Sequence, residues 1–593
     1  MLALDDLPFI LLDDARDGGA GARLYRDPQR IIAAHRTSDI GAALDAMRAA
    51  AAAHVVGFLS YEAGAGLEPA LEPADSGAPL LWFGVFERYE TIANLGDWLP
   101  DQAGAWIGTP SPSITRETYD AQLAHVLELI AAGDLYQANL TYRATCKIAG
   151  NPLALYAQLR ARAKAGYGAF VWTGAEALLS LSPELFFRLD GDALTSRPMK
   201  GTARRGDTPA EDAALAALLG SDAKQRAENL MIVDLMRNDL SRVAVPGSVA
   251  VPTLFEVERY PTVHQMVSTV TASLAPDKDA IDVLAALFPC GSITGAPKIR
   301  AMQAIRAIEG TPRGAYTGSI GRIDAAGPAG HSALFNVAIR TLTVRNGDGY
   351  ATFGAGGGIV ADSRSAEEWD ETLAKGAFLT AGQTGFDLIE TMAFDPEIGL
   401  VLLERHLARL KASAALFGFA FDRHAVRNEL QAATFRLRSG RRLRLLLARS
   451  GAIAIEVAPL PAPFTAPVPV AIVPLPVAND DFRLSHKTSD RAFYDDARRR
   501  AGTAEVLFVD AQGFLTEGSF TNIFVERDGV LLTPPLARGL LPGVLRAELL
   551  ATGQAIEADL SPSDLSAGFL LGNALRGTFP AIVAVANGSP SGL

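Results

Sequence analysis

The chain has 593 residues, 49% of them hydrophobic and 20% charged, and carries a net charge of −12 at pH 7. A single hydrophobic core rarely serves more than roughly 250–300 residues, so two or more domains are expected. The negative balance excludes a broad phosphate-binding face, and with it nucleic acid as a partner, but not a small anionic substrate held by a local cluster of donors.

The start, MLALDDLPFILLDDARDGG, has no basic n-region and is interrupted by acids, so no signal peptide is expected. Residues 1 to about 100 mix Ala-rich helical stretches with strand-like runs such as Val55–Leu59. Thr118–Ala132 predicts an amphipathic helix, Tyr136–Ala144 a strand, and Glu211–Leu240 strong helix. Thr317–Ile359 reads as strand–turn–strand and ends in the glycine-rich run Gly354–Gly358. Ser365 and Glu368 then have the spacing of a capping box, opening a helix over Ala366–Leu379 that Gly382 can stop. The small, polar run Thr380–Gly385 places a domain boundary, giving expected domains 1–382 and 386–593. From Phe386 a strand, a helix from about Glu404 to Leu416 and further strands follow. The proline-rich stretch Pro459–Pro476 reads as a connection between two lobes. No apolar run approaches the roughly 20 residues of a membrane helix, and the two cysteines, Cys146 and Cys290, are too few for a disulfide scaffold or a zinc site. A cytoplasmic protein without membrane contact is expected. The fold class is α+β, with large antiparallel sheets and helices first and a smaller, two-lobed α/β unit second.

Lysine is scarce and arginine abundant, so a lysine in an apolar or Gly-rich setting stands out, because arginine cannot lose its proton and act as a nucleophile. Lys200, in TSRPMKGT, has such a setting. Desolvation would lower its pKa and make it a usable nucleophile, although in isolation an ordinary lysine with a covered stem explains it. In SITGAPKIR (Ser292–Arg300), Pro297 suits the first turn of a helix. The small residues before it leave backbone N–H groups uncovered, which suits a carboxylate; a plain helix cap explains the segment equally well. AENLMIVDLMRNDL (Ala227–Leu240) is apolar on most sides and reads as a buried helix. Its Glu228, Asp234 and Asp239 then need partners. Arg237 can pair with one, and a hard cation can bridge another to a substrate carboxylate. Structural salt bridges account better for Asp234 and Asp239.

Taken with SPELF (Ser182–Phe186), GSIGRI, NVAIRTL and GAGGGIVADS, these motifs, in this order over about Leu7 to Gly382, resemble the chorismate-utilising enzymes. Within them the branch that forms aminodeoxychorismate is the most similar, because Lys200 stands where anthranilate synthases typically carry alanine. The resemblance implies that Lys200 attacks C2 of chorismate and that ammonia then adds at C4. Gln137, in GDLYQANL, stands where isochorismate-forming relatives carry a water-activating lysine, so ammonia rather than water is the implied nucleophile. Glu184 resembles the general acid for the C4 hydroxyl. Glu228 and Glu371 resemble ligands of Mg²⁺, which would keep protein and substrate carboxylates from repelling. Thr294, Gly295, Ala296, Arg340, Gly356 and Gly357 would hold the substrate carboxylates. One position departs from the pattern: Gln265 stands where histidine is expected, and His264 beside it points elsewhere. Neither cysteine sits in a nucleophile-elbow context, and Cys290, in FPCGSITG, reads as a packed structural residue. A separate glutamine amidotransferase subunit, or free ammonia, is the implied nitrogen source.

Beyond Phe386 the motifs FDLIETM, LLERHLARL, LSHKTSDRAFYDDAR, LTEGSFTNIFV, GLLPGVLR and GNALRG resemble the fold-type-IV pyridoxal-phosphate enzymes, with a shortened first strand. That class includes D-amino-acid and branched-chain transaminases and aminodeoxychorismate lyase. The resemblance implies that Lys487 carries the pyridoxal 5′-phosphate and later moves the C4 proton, and that Glu517 pairs with the pyridine N1–H. Arg409, of the H-x-x-R-L pattern, would bind the phosphate. Free N–H groups at Val544 and Leu545, on the helix opened by Gly543, would assist it, with Asn573 as a further contact. A lyase is expected, because expelling pyruvate from the first domain's product aromatises its ring; the whole chain would then make 4-aminobenzoate. An anthranilate synthase-like first domain remains open, as does a transaminase or a non-catalytic partner-binding module in the second. Relatives of this class are commonly dimers, which makes a homodimer an expectation from resemblance.

Overall fold

The apolar runs of the first unit close into two antiparallel sheets. One runs, in spatial order, Gly295–Ala296, Gln137–Ala149, Tyr350–Ile359, Thr341–Arg345, Glu176–Ser182, Tyr167–Trp172, Phe9–Asp14, Gly21–Arg26 and Glu90–Ile92. The other includes Met199–Arg204, Val263–Ser273, Ala193–Arg197, Leu185–Asp190 and Ser332–Asn336, and continues through Ser319–Ile323 and His54–Leu59 to Leu81–Phe86. Ile10 and Tyr25 of the first sheet meet Val56, Phe58 and Trp82 of the second in one buried cluster. The second sheet is covered on its far side too, by a cluster drawing on helices Ile40–Arg48, Ala223–Ser241 and Ala280–Leu287. With both faces occupied, Leu81–Phe86 is buried at every position, which is why it reads as an unbroken apolar run. This computed structural model describes the chain except residues 1–3, 5, 6, 74–76, 261, 262, 326–329, 331 and 585–593. Part of the stretch read for a signal peptide, part of the turn within 317–359 and the end of the second expected domain therefore lie outside the described residues.

Several local expectations are corrected. The helix over 211–240 is two helices, Pro209–Ser221 and Ala223–Ser241, because Asp222 is extended and caps the second by accepting the Gln225 N–H at 2.8 Å. The second helix is not apolar on most sides in its setting: it buries one face (Asn229, Ile232, Val233, Met236, Asp239 and Leu240) and leaves Leu230 and Asp234 exposed. The capping box at Ser365 does not form: the Ser365 hydroxyl is bonded to Asp120, and Glu368 accepts instead from Ser363 at 2.6 Å. Pro297 is the capping residue of helix Lys298–Glu309 and lies just outside its first turn. The strand–turn–strand read over 317–359 is four strands, Ser319–Ile323, Ser332–Asn336, Thr341–Arg345 and Tyr350–Ile359, with the glycine run inside the last, where Gly356, Gly357 and Gly358 pair with Thr141, Leu140 and Asn139.

The chain forms two units. The first comprises Met1–Leu99, Thr109–Lys147 and Leu155–Ala381; the second comprises Pro100–Gly108, Ile148–Ala154 and Gly382–Leu593. The second unit has two lobes. In one, a four-stranded antiparallel sheet (Gly399–Leu400, Leu388–Asp395, Arg441–Leu447, Ile453–Pro459) carries helices Leu403–Phe417 and Arg423–Thr434. In the other, an eight-stranded mixed sheet has Val468–Pro474 parallel to both Glu505–Val509 and Gly577–Val583. The proline-rich stretch is thus only partly a connection, since most of its second half is that strand. Trp106, far upstream in sequence, belongs to the first lobe's core, edge-on to Phe417 with ring centroids 4.9 Å apart.

Candidate active sites

In the first unit Lys200 lies on strand Met199–Arg204. Burial lowers its pKa, opposed by the Glu228 carboxylate. A methyl group on Gly358 would lie 2.6 Å from Lys200 Nζ, 3.2 Å from Gln137 Nε2 and 3.3 Å from Asn139 Oδ1. Three polar side chains therefore converge over a residue without one. Gln137 is fully buried, and neither end of its amide has a partner among the described residues. A buried amide left open on both ends calls for a ligand or water. Glu184, also buried, accepts the Ser292 hydroxyl at 2.7 Å. Burial pushes its pKa up to about 7, against the pull of Ser292 and the Lys200 charge. Cys290 lies 3.2 Å from the Ser292 hydroxyl, and burial pushes its thiol up to about 12, which suits a structural residue.

The substrate-carboxylate candidates flank this spot. Gly295 and Ala296 pair with Ala138 and Gln137. The Thr294 hydroxyl donates to the Cys290 carbonyl at 2.8 Å, and its own carbonyl accepts from Asn139 at 2.9 Å. The Gly356 carbonyl accepts from Lys375 at 2.8 Å, and the space beside Gly357 is closed 3.2 Å away by Glu368. Arg340 has a left-handed backbone (φ 50°), and its guanidinium stands over the Phe378 ring at 5.9 Å. Gln265 holds the Lys200 strand by donating to the Gly201 carbonyl (2.9 Å), while His264 turns away to Asp212 (2.8 Å). Asp234 pairs with Arg237, and Asp239 with Lys298.

Of the two carboxylates expected to hold a metal, Glu228 is half-buried and Glu371 is exposed and paired with Lys375 at 2.8 Å. Among the described residues no group of three or more His, Cys, Asp or Glu side chains is arranged to hold a metal ion. The donor chemistry nonetheless suits a hard cation sharing the site with an anionic substrate. Burial raises the pKa of Glu228 against the pull of the Lys200 and Lys224 charges, with the Asp362 and Glu368 carboxylates adding to the rise. Glu368 was missed from the sequence, where its spacing from Ser365 reads as a cap; the available signal was its E-x-x-E spacing to Glu371, which puts both on one helix face.

In the second unit a cavity of about 580 Å³ is lined by Lys487, Glu517, Arg409, Val544 and Asn573. Burial, with Arg409 and Arg491 nearby, lowers the Lys487 pKa to about 7. Glu517 accepts the Tyr494 hydroxyl and the Leu541 N–H (3.1 Å), and burial raises its pKa to about 7. Arg409 is fixed by Glu390 through Nε (2.9 Å) and Nη2 (2.7 Å), and donates to the Pro542 carbonyl at 3.1 Å. His406 also holds Glu390, at 2.6 Å. Val544 opens helix Val544–Ala551 behind Gly543. The Leu545 side chain packs towards Phe524 and Leu549, which leaves only its N–H for a ligand. The Asn573 amide bridges the Phe520 carbonyl and the Leu575 and Arg576 N–H groups, so it shapes the loop beside the cavity. Tyr494, His406 and Glu390 were missed from the sequence; the H-x-x-R spacing, one helical turn, was the available signal for His406. These residues fit pyridoxal phosphate: a half-buried lysine facing the cavity, a buried acid for a ring nitrogen, and an arginine beside a helix N-terminus.

The model of the chorismate binding enzymes matches residues 8–381, and that of the class IV amino-transferases matches residues 387–582. The chain belongs to the chorismate binding enzymes, with a class IV amino-transferase domain following. Aminodeoxychorismate synthase component 1 of Escherichia coli (strain K12) is 47% identical over 263 residues, 44% of this chain and 57% of that one. Anthranilate synthase component 1 of Aquifex aeolicus is 40% identical over 289 residues, 49% of this chain and 56% of that one. The chain thus spans a little over half the length of these curated relatives. The crystal structure of anthranilate synthase component I from Streptococcus pneumoniae superposes with a TM-score of 0.52 at 26% identity, covering 63% of this chain and 94% of that one. No helix among the described residues is long and apolar enough to cross a membrane.

Proposed function

We propose that the chain makes 4-aminobenzoate from chorismate in two steps, one in each unit, as a cytoplasmic enzyme. The observation that carries this reading is the matched pair of half-buried lysines, Lys200 and Lys487, whose pKa values are lowered by loss of solvent. Each lies beside a buried carboxyl group, Glu184 or Glu517, with a pKa of about 7.

In the first unit the neutral Lys200 amine attacks C2 of chorismate while protonated Glu184 gives its proton to the departing C4 hydroxyl, which leaves as water. Ammonia then adds at C4 and expels Lys200. Gln137 cannot act as a base, so it orients rather than activates. Thr294, Gly295, Ala296, Arg340, Gly356 and Gly357 hold the carboxylates. Glu228 and Glu371, with Glu368 beside them, would hold Mg²⁺, which supplies positive charge against the substrate carboxylate. The 47% identity to an aminodeoxychorismate synthase component 1, rather than a lysine alone, favours this branch over anthranilate formation. Ammonia would come from a separate glutamine amidotransferase subunit.

In the second unit pyridoxal phosphate, when bound, supplies the electron sink for breaking a C–H bond next to an amine. Lys487 would anchor it and move the C4 proton, so that pyruvate leaves and the ring becomes aromatic. Glu517, set by Tyr494, would pair with the ring nitrogen. Arg409 and the N–H groups of Val544 and Leu545 would hold the phosphate, and Asn573 braces the adjoining loop. A homodimer is the proposed assembly.

The test is a product assay with the purified chain, chorismate, Mg²⁺, ammonia and pyridoxal phosphate. The expected products are 4-aminobenzoate and pyruvate, with Lys487→Ala stopping at aminodeoxychorismate. Anthranilate would refute the assignment of the first unit, and aminodeoxychorismate accumulating with the unaltered chain would refute that of the second.

A further inference from the structure

Glu184, Ser292 and Cys290 of the first unit are all buried, so the direction of the Glu184 carboxyl is set by protein groups. Its main chain is held first: the N–H donates to the Ser182 hydroxyl at 3.2 Å, and the carbonyl accepts the Val337 N–H at 3.1 Å. Glu184 Oε1 then accepts the Ser292 hydroxyl at 2.7 Å. Behind Ser292, the Cys290 sulfur lies 3.2 Å from the same hydroxyl oxygen. Ser292 has one proton and gives it to Glu184, so Cys290 is the donor of the second bond. Burial pushes the Cys290 thiol up to about 12, which keeps that proton in place at neutral pH. The chain of donors thus runs one way, from Cys290 S–H to Ser292 O–H to Glu184 Oε1.

The turn that carries Ser292, Gly291–Ile293, is buried at every residue and has little freedom. A methyl group on Gly291 would run into Leu235 and lie 3.1 Å from Met236 Cε, both on helix Ala223–Ser241. Arg313 donates to the Ile293 carbonyl at 3.1 Å, and the Thr294 hydroxyl to the Cys290 carbonyl at 2.8 Å. Among the described residues, the charged or titratable groups that face Glu184 are Lys200, from strand Met199–Arg204, and Cys290; the Met199 N–H supports its carboxyl as well.

A carboxylic acid has two oxygens and one proton, and it works as a general acid only when the proton sits on the oxygen within reach of the leaving group. We propose that Ser292, backed by Cys290, is a positioning residue for this proton transfer: by donating to Oε1 it keeps the Glu184 proton on Oε2, the atom that protonates the departing C4 hydroxyl. The inference rests on the reading of Glu184 as the general acid. The protons balance: Glu184 gives one to the hydroxyl, which leaves as water, and the ammonium formed when ammonia adds at C4 gives one back and becomes the amine. A donor bound to a carboxyl group also favours its charged form, so the same bond sets the pH at which the acid is lost.

The test uses the full chain with chorismate and Mg²⁺, and follows amination across pH at a fixed concentration of free ammonia. Ser292→Ala should lower kcat by about ten- to a hundredfold while KM for chorismate stays within about twofold of the parent value. It should also move the alkaline limb of the kcat profile up by about one pH unit, the worth of one hydrogen bond to a charged group. Ser292→Thr keeps the hydroxyl and should recover most of the rate and the limb. Cys290→Ala frees Ser292 to turn and should show both effects at smaller size. Ser292→Ala with the parent kcat would overturn the proposal. So would a lowered kcat with an unmoved limb, because loss of packing alone leaves the acid's titration where it was. Glu184→Gln working at the parent rate would instead overturn the general-acid reading, and the role of Ser292 with it.

Discussion

Gly358 is the residue on which the first site turns. It sits in an ordinary strand position, so the backbone tolerates alanine, yet the added methyl would lie 2.6 Å from Lys200 Nζ and intrude on Gln137 and Asn139. Gly358→Ala is therefore expected to lower aminodeoxychorismate formation by about a hundredfold or more, as misplacing a reacting group does. The same variant should still release pyruvate at the parent rate from aminodeoxychorismate supplied to it. Undiminished formation from chorismate would mean that the substrate does not occupy the space above Gly358. Lys200 stands out in the sequence because arginine supplies most of the positive charge, so a lysine between Met and Gly has a chemical reason to be there, whereas Lys487 is reached only through the resemblance of its motif. Glu368 was not legible, because its spacing from Ser365 offers a complete local explanation, and only the bond from Ser365 to Asp120 removes it.

At the scale of elements, strand Leu388–Asp395 and helix Leu403–Phe417 are joined by a charge cluster. Glu390 is buried between Arg409 and His406, which lie one turn apart on the helix. Burial works against the Glu390 charge, but Arg409 and His406 outweigh it and hold the pKa at about 2. A carboxyl depressed on folding contributes stability that is complete above its unfolded value and is lost as pH falls through its folded one. The window here runs from 4.5 down to about 2. Glu390→Gln leaves Arg409 buried without its partner, and at neutral pH should cost about 3–5 kcal/mol in denaturant unfolding of this unit. The gap between variant and parent should narrow as pH falls through that window. A gap that stays constant there would show that the cluster does not titrate with folding.

Helix and strand types were read from periodicity, and they held wherever one face dominates, as in Arg116–Ala131 and Leu403–Phe417. The boundary at Asp222 and the exposed side of Ala223–Ser241 were not legible. Capping by an aspartate and exposure of Leu230 depend on what the rest of the sheet covers, which no local window contains.

At the scale of the whole molecule, the second unit is discontinuous in sequence. Trp106 fills the core beside Phe417, Asp101 pairs with Arg483 at 3.1 Å, and Asn151 donates to Asp480 at 2.6 Å. All three upstream residues lie more than two hundred positions before the boundary read from the sequence. That boundary follows a change of motif and of composition, and a linear reading cannot show that two short segments fold with a later part of the chain. A fragment of residues 386–593 lacks those segments. Losing Trp106 alone should cost about 3–5 kcal/mol. The fragment should therefore unfold at lower denaturant and bind pyridoxal phosphate more weakly than the intact chain. Equal stability would mean that the two segments only rest on a unit already complete.

The interleaving also bears on inheritance. A crossover near codon 382 would seem a natural place to exchange one half for a relative's. Such a hybrid would keep 100–108 and 148–154 from one parent and receive Phe417, Asp480 and Arg483 from the other. Unless both parents carry matched partners, the recombinant starts with a damaged core in its second half. Single-point exchange is thereby penalised, and the two halves are expected to travel through descent together.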